Sequence, residues 1–330
     1  MIWEKRYKDW IAAANICVYT NPQMSVLLFS NKQNRAALEI SGAEAASFLN
    51  DILTSQLEEL PSGKMQMACL LSPQGRILHD MLIFRQTEEC FWIETEISQL
   101  SDLKKRLMMY RLRRPISISS LENWRSDHLY LALGNSLSEA QIASINDNLD
   151  TNQYLFSDSR RPELGVHLIS KENQNTNFQN GWMQADLSHW DAIRIANMTP
   201  LGNADLISNR ALMLEAGLDL LAAVDFNKGC YIGQEVTART KYRGLVKKRL
   251  VPIYSSTKLE QDMPIYQSDK EVGITLSNVA LSDGGYLALA MVRTTAINHY
   301  FNDEETLSTH SGMITIQLPH WLNSSNFREA

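Results

Sequence analysis

The chain is poor in cysteine, and its cysteines are not grouped. Its four cysteines among 330 residues form no C-x-x-C pair, and they are Cys17, Cys69, Cys90 and Cys230. This spacing excludes a zinc finger and a dense disulfide framework, and it favours a reducing cytoplasm. Because iron-sulfur clusters usually draw several thiolates from short local motifs, we also expect no metal or cluster bound by a motif of this chain alone.

Long apolar runs and the common catalytic motifs are missing as well. No stretch of about 18 uncharged apolar residues occurs, which argues against a membrane-spanning helix. The charged N-terminus does not resemble a signal peptide. Phosphate-binding loops, dinucleotide-binding glycine motifs, H-E-x-x-H and G-x-S-x-G are absent. A net charge of -6 makes general nucleic-acid binding an unlikely function, and no membrane partner is expected.

Apolar periodicity predicts two α+β units. Residues 36–41, 66–72, 77–85 and 90–95 have strand patterns, and helical patterns follow the first and the last of them. Ser72-Pro73-Gln74-Gly75 has the composition of a hairpin turn, and Ser41 with Glu44 has capping-box spacing. The order strand, helix, strands, helix, strand indicates a split ferredoxin-like unit.

The second unit and a β domain follow. Strands at 128–133 and 165–170, a helix after Gly134 and a helix through Trp190 predict another α+β unit, with a polar loop at 171–181. From about Leu245 onward, short strand patterns separated by turn residues such as Asp283-Gly284-Gly285 predict a small β-barrel or sandwich.

One segment combines unusual glycines, a cysteine and charges. Gly229 and Gly233 flank Cys230, and they permit close approach of the backbone to a ligand or a sharp turn into a helix that begins near Gln234. Nearby positive charge, including Lys228, favours a reactive thiolate at Cys230. A buried, inert cysteine is the alternative.

Charged residues around this segment allow two interpretations each. Six cations lie between positions 239 and 249 with no acid among them: Arg239, Lys241, Arg243, Lys247, Lys248 and Arg249. They form either a solvated basic surface or a site for a multiply charged anion. Glu215 lies among leucines, and its carboxylate needs a donor from a ligand or from an internal arginine. Asp80, a lone acid on an apolar strand, faces either a cavity or the solvent.

The segment Lys228-Gly229-Cys230-Tyr231-Ile232-Gly233-Gln234-Glu235, with the cations after it, resembles the signature of YgfZ-type folate-binding proteins. These proteins are related to the T-protein of the glycine cleavage system, an aminomethyltransferase. The resemblance extends over about residues 36–249 through further pieces, which are Ile40-Ser41-Gly42, the stretch from Leu71 to Asp80, Lys105-Arg106-Leu107, the stretch from Met109 to Arg113, and Leu214-Glu215-Ala216-Gly217-Leu218.

The resemblance implies an α+β fold of three domains around a central channel, with two ferredoxin-like units and a C-terminal β-barrel. The expected division is an extension at 1–23, a first domain from 24–46 and 120–240, a second from 47–119, and the barrel from 241–330. Met24 is then a candidate start of the native protein.

The resemblance also implies a function and a site. The expected ligand is tetrahydrofolate or a derivative, with Glu215 at the pterin, Arg239 and Arg243 at the folate, and a polyglutamate tail on the cluster Lys247, Lys248 and Arg249. The signature loop comprises Lys228, Gly229, Cys230, Tyr231, Gly233, Gln234 and Glu235. Asp80 stands where the related transferases carry the acid that assists methylene transfer, whereas their signature lacks Cys230.

Three functional hypotheses follow. The first is a cytoplasmic bacterial factor that binds folate and supports assembly or repair of iron-sulfur enzymes, including radical enzymes that thiomethylate tRNA, with Cys230 as a reactive thiol. Such a factor is accessory rather than a conventional enzyme. The second is a folate-dependent one-carbon transferase that uses Asp80. The third is an RNA-contacting protein that uses its basic runs.

Overall fold

The computed structural model describes residues 26–30, 34–131, 136–171, 182–244, 246–281 and 284–322. The predicted extension at 1–23, Cys17, Met24, Gly134, most of the loop at 171–181 and Asp283 lie outside the described residues. None of the described helices has the length and apolarity needed to span a bilayer.

Residues 35–121 form an antiparallel five-stranded sheet, called here the second sheet, in the order β3-β4-β5-β2-β6. If the added edge strand β3 is set aside, β4-β5-β2-β6 is the strand order of a ferredoxin-like unit. The last strand of the unit, β6, pairs with its first strand, β2, and β5 pairs with β4. Its strands are β2 (Arg35–Ser41), β3 (Lys64–Leu71), β4 (Ile77–Thr87), β5 (Cys90–Glu96) and β6 (Ser117–Leu121). Helices α1 (Ala45–Ile52) and α2 (Leu100–Arg111) cover one face of the sheet, with a 3₁₀ turn (Ile97–Gln99) before α2.

The first sheet has the order β10-β1-β7-β9-β8. Strand β1 precedes the second sheet in the sequence, but it belongs to the first sheet and pairs antiparallel with β7. It takes the position that the last strand of a ferredoxin-like unit would occupy. The strands are β1 (Val26–Ser30), β7 (Arg125–Leu131), β8 (Gln153–Ser157), β9 (Val166–Ser170) and β10 (Trp182–Gln184). The helices are α3 (Glu139–Asn146), α4 (Leu187–Ala196) and α5 (Gly202–Asp205), with a 3₁₀ turn at Pro162–Leu164.

The two sheets pack face to face through aromatic rings and a buried polar network. Phe84 of the second sheet contacts Phe156 of the first sheet edge to face, with ring centroids 5.0 Å apart. Beside these rings Arg35 Nε donates to Glu94 Oε1 at 3.0 Å, and Trp124 Nε1 donates to Glu94 Oε2 at 2.9 Å. Burying this ion pair requires such complete hydrogen bonding, because desolvated charges are costly.

The C-terminal region is a closed barrel of six strands, in the order β11-β14-β13-β12-β15-β16. Its strands are β11 (Lys248–Ser255), β12 (Pro264–Gln267), β13 (Lys270–Ala280), β14 (Tyr286–Arg293), β15 (Leu307–Thr309) and β16 (Gly312–Ile316). Helix α7 (Thr294–Asn302) joins β14 to β15, and the apolar face of α4 packs on the outside of the barrel. The predicted fold of two ferredoxin-like units and a β-barrel is confirmed.

Two sequence predictions differ from the structure in detail. The capping box at Ser41 and Glu44 is wrong: Ser41 ends β2, and Glu44 caps α1 without a side-chain hydrogen bond. Cross-strand pairing keeps Ser41 extended, because it lies opposite Cys90 on one side and Ser117 on the other. The domain boundaries stay a prediction, although β2 pairs within the second sheet rather than with β1 and β7.

Candidate functional site

The signature segment turns sharply at Gly233 and enters helix α6 (Gln234–Tyr242), as the sequence predicts. Gly233 has φ +81°, and a Cβ there would lie 2.6 Å from the carbonyl oxygen of Ser72 and 3.1 Å from Cα of Gly75. Both the left-handed conformation and the close approach require glycine. The hairpin turn between β3 and β4 therefore packs directly against the start of α6.

Lys228 anchors the segment to the C-terminal end of α1. Its Nζ donates to the carbonyl oxygens of Leu53 at 2.7 Å and Ser55 at 2.9 Å, and also to that of Asn50. Carbonyls at a helix C-terminus lack intrahelical partners, and a cation satisfies them well. Burial lowers the pKa of Lys228 to about 8, against the opposing charge of nearby acids. Lys228 therefore holds the loop in place.

Cys230 and Gly229 lie on the surface between Lys228 and the buried ring of Tyr231. Gly229 does not have a positive φ, and a Cβ at that position would meet no atom within 4 Å. No internal packing therefore requires glycine there, whereas an external partner approaching the backbone would. The alternative of a buried, inert Cys230 is wrong, because the thiol is exposed.

Glu215 lies half-buried beside cations, as the charge pattern suggests. Desolvation raises the pKa of its carboxyl group, and Lys248, Arg76, Arg249 and Lys247 oppose that rise. Among the described residues the Glu215 side chain makes no hydrogen bond and no ion pair within 4 Å, so the predicted internal arginine partner is not found. The carboxyl group is therefore an acceptor in a basic environment that still needs a donor.

The cations of the cluster at positions 239–249 differ in whether the protein itself provides them with a partner. Arg249 pairs with Asp219 at 2.9 Å and donates to the carbonyl oxygen of Leu214. Lys247 and Lys248 are exposed and have no ion pair in the described part of the chain. Arg239 and Arg243 lie on and just after the last turn of α6, also exposed. Lys241 is exposed as well, so the structure separates one structural arginine, Arg249, from five exposed cations.

Asp80 is buried between the two sheets rather than on a solvent face. It lies on β4 opposite Cys69. Burial raises the pKa of its carboxyl group, while Arg35 and the backbone N–H of Gly202 lower it. The chain from Gly202 to Glu215 runs beside the start of β4, since Ile77 N–H donates to the carbonyl oxygen of Ala211 at 2.9 Å. Residues 202–215 therefore reach Asp80 through Gly202 at one end and carry Glu215 at the other end.

A cavity of about 530 Å³ opens beside the signature segment, at the edge formed by β3. Lys241 Nζ lies 3.6 Å from the centroid of the Phe226 ring on its wall. Gln56 Oε1 is buried there without a hydrogen-bond partner among the described residues. The cavity is lined by Ser55, Gln56, Gln66, Ala222, Val224, Asp225, Phe226, Asn227, Lys241 and Tyr242. The sequence pattern does not indicate this cavity, because its wall joins residues more than 150 positions apart, and of these only Lys241 belongs to the basic cluster.

No group of three or more metal-ligating side chains is found in the described part of the chain. Cys69 and Cys90 are not candidates for a reactive thiol, since burial raises the pKa of both, that of Cys90 to about 11. Among the described cysteines, Cys230 is the exposed one.

Two parts of the chain match known protein families, and the fold as a whole matches a solved structure. Residues 25–169 match the family described as "GCVT N-terminal domain", and residues 247–324 match "CAF17, C-terminal beta-barrel domain". The aminomethyltransferase T of the glycine cleavage system of Bartonella henselae has a similar solved structure, with a TM-score of 0.69 over 98% of this chain and 90% of that one. Its sequence identity of 13% shows the fold alone.

Among individual proteins, curated relatives are named iron-sulfur cluster assembly factor IBA57, mitochondrial. The mouse protein is 28% identical, and the match covers 87% of this chain and 83% of that protein. The human protein is 31% identical over 66% of this chain and 64% of its own length. The Neurospora crassa homolog is 27% identical, and the chain spans 52% of its length. The chain thus spans less than two thirds of the last two relatives.

Proposed function

We propose that this protein binds tetrahydrofolate or a derivative and supports the assembly or repair of iron-sulfur enzymes, as a YgfZ-type factor. Its clients would include radical enzymes that thiomethylate tRNA. The names of the curated relatives support the iron-sulfur part. The observation that carries the folate part is the half-buried Glu215 carboxyl group, which is desolvated beside four cations and has no donor among the residues that the structure describes.

The residues around Glu215 fit a folate in their chemistry. A pterin ring presents N–H groups that would donate to the Glu215 carboxylate. The carboxylates of a glutamate tail match the exposed Lys247 and Lys248, with Arg239 and Arg243 as further candidates. When bound, tetrahydrofolate would supply its N5 and N10 nitrogens, which carry a one-carbon unit. The chain's own residues would hold and orient it.

The exposed Cys230 supports an accessory role more than transfer chemistry. Its loop is held from beneath by Lys228, while the backbone at Gly229 is open to a partner. Asp80, which transfer chemistry needs, is buried between the sheets beside Arg35 and the Gly202 amide. We also propose a cytoplasmic location, because the cysteines are few and widely spaced.

Titration of the purified protein with tetrahydrofolate tests the ligand. We expect Glu215→Gln to weaken binding at least about tenfold, which corresponds to about 1.4 kcal/mol. The exposed Glu271 of β13 provides a matched control, and Glu271→Gln should bind like the wild type. Equal affinity of the wild type and Glu215→Gln would reject the proposed site. Turnover of methylene-tetrahydrofolate that Asp80→Asn abolishes would support the transferase instead.

Complementation tests the iron-sulfur role separately. In a strain that lacks the protein, Cys230→Ala should fail to restore the activity of iron-sulfur enzymes while still binding tetrahydrofolate. The buried Cys69 offers a control, and Cys69→Ala should complement if it folds. Full complementation by Cys230→Ala would exclude the thiol from the function.

A further inference from the structure

Helix α2 presents an apolar stripe to the solvent. Its inward residues Leu103 and Leu107 are fully buried against the second sheet. On the outward side, Met108, Met109 and Leu112 are 49%, 64% and 80% exposed. Leu112 follows Met108 by four residues and Met109 by three, so the three side chains lie together at the C-terminal end of α2, with Leu112 just past its last helical residue. Three large apolar side chains grouped in this way on a surface mark an interaction site more often than isolated ones do.

Leu112 is held in a backbone conformation that leucine disfavours. It caps the C-terminus of α2 with φ 53° and ψ -114°. Glycine is the usual residue where a helix ends with a positive φ, because a Cβ is unfavourable there. The leucine side chain gains nothing from internal packing, since most of it is in solvent. Unfavourable backbone conformations of this kind concentrate at functional surfaces.

The stripe lies in the most basic part of the chain outside the signature region. Residues 103–121 contain six cations and no acid, although the whole chain has a net charge of -6. Two of the cations are paired, Arg106 with Asp102 at 2.6 Å and Arg114 with Asp51 at 2.5 Å. Lys105 and Arg113, which flank the stripe, are exposed and make no hydrogen bond or ion pair within the described residues.

We propose that this α2 surface, formed by Lys105, Met108, Met109, Leu112 and Arg113, docks another protein through an acidic amphipathic segment. Apolar side chains of the segment would cover the stripe, and its carboxylates would pair with the two flanking cations. Methionine side chains suit such a surface, because they adapt to different partners.

Other occupants fit the α2 surface less well. A symmetric contact with a second copy would bring its cations against the same cations. Residues 1–23 carry three cations and two acids, so they do not supply a complementary charge. A membrane surface is usually bound by a helix with a long apolar face, whereas the opposite face of α2 is packed on the sheet.

This inference goes beyond the proposed function and does not depend on folate. Tyr231 of the signature segment packs in the cluster between the two sheets, whereas Leu103 and Leu107 of α2 pack on the other face of the second sheet, where Ile232 also packs. The proposed surface includes neither Glu215 nor Cys230. Loss of α2 binding and loss of folate binding can be measured separately on the same protein.

A peptide-binding experiment tests the α2 surface. The probe is a fluorescent amphipathic helix with leucine on one face and glutamate on the other, and its twin carries lysine in place of glutamate. We expect the full-length protein to bind the glutamate peptide and not the lysine twin, with affinity that falls as salt rises. Met109→Glu combined with Leu112→Glu should weaken binding at least tenfold. Met313→Glu, at an exposed methionine of the barrel, is the control and should bind like the wild type.

Leu112→Gly separates docking from stability. It removes the exposed side chain and relieves the positive φ, so its thermal midpoint should equal or exceed that of the wild type while the peptide binds more weakly. In cells, a photo-crosslinking amino acid at position 109 should capture the acidic segment of another protein, and the same group at position 313 should not.

Several results would overturn the proposal. The proposal fails if the glutamate peptide binds the wild type and the double variant equally well, or if it binds neither. Contrary results also include binding of the lysine twin, sedimentation of the protein with phosphatidylglycerol vesicles that depends on Met109 and Leu112, and a crosslink from position 109 to residues 1–23 or to a second copy of the chain.

Discussion

Substitution of Lys228 by methionine tests whether the signature lysine is structural. Methionine retains most of the aliphatic length, but it removes the ammonium that lies 5.3 Å from the centroid of the Tyr231 ring. The three carbonyl oxygens of Asn50, Leu53 and Ser55 would lose their donor. These oxygens belong to the last turn of α1 and to the residues that lead from α1 toward the edge strand β3.

The size of the effect follows from the carbonyls. A buried acceptor without a partner costs about 1–3 kcal/mol. We use the lower value for each acceptor, because the neighbouring Asp51 is exposed, although Asn50, Leu53 and Ser55 are buried. Three acceptors at about 1 kcal/mol each cost the variant about 3 kcal/mol in the free energy of unfolding, and removal of the buried ammonium offsets part of this cost at pH 7.

The pH dependence gives a second signature of the same lysine. Its pKa is lowered from 10.5 to about 8 in the folded protein. Between these values the unfolded chain binds more protons than the folded chain, so Lys228 makes stability rise with pH, by at most about 1.4 kcal/mol per unit. Below pH 8 the cost of the buried ammonium is fully present. The stability gap between the wild type and Lys228→Met should therefore widen from pH 8 to 10.

Urea unfolding followed by tryptophan fluorescence measures both quantities. The control is Lys241→Met, since Lys241 is exposed and contacts the Phe226 ring, a contact worth about 0.5–1 kcal/mol. The reasoning is refuted if Lys228→Met unfolds within 1 kcal/mol of the wild type at pH 10, where the amine of the folded protein is neutral and still donates hydrogen bonds. A gap that does not change between pH 8 and 10 would refute the pKa argument alone.

Two further predictions concern stability. Gly233→Ala should cost at least about 2 kcal/mol, because its Cβ would lie 2.6 Å from a backbone oxygen at positive φ, whereas Gly229→Ala should be neutral; urea midpoints decide. The thermal midpoint should fall as pH drops below about 6.5, because burial lowers the pKa of His128 and the unfolded chain takes up the proton. A second fall should come below about pH 4, since Arg35 and Arg160 help to hold the pKa of Glu94 and Asp158 low. A flat profile from pH 7 to 5 would contradict the first step.

Local patterns were sufficient where neighbouring residues fix the backbone. The hairpin at Ser72–Gly75 forms as its composition predicts, with Gly75 N–H donating to the carbonyl oxygen of Ser72 at 2.8 Å. Helix α6 begins at Gln234, where the glycine pattern places it. The capping box at Ser41 failed because sheet pairing outweighed a local hydrogen bond.

The candidate site was predictable only in part. The charge pattern identified Glu215 and its cations, because a carboxylate among leucines next to a basic run is visible in the sequence. The charge pattern did not show that Arg249 forms an ion pair with Asp219, whereas Lys247 and Lys248 are exposed. It also missed the cavity at Phe226 and the exposed stripe at Met109, since burial on a particular face depends on packing.

The sequence by itself determined the order of elements, the ferredoxin-like pattern and the signature segment, because periodicity and turn residues act over a few positions. Tertiary structure alone decided that β1 completes the first sheet, that Lys228 supports α1 from about 175 positions away, and that Asp80 is buried. Each of these depends on contacts between distant segments, which form only when the sheets and the barrel pack together.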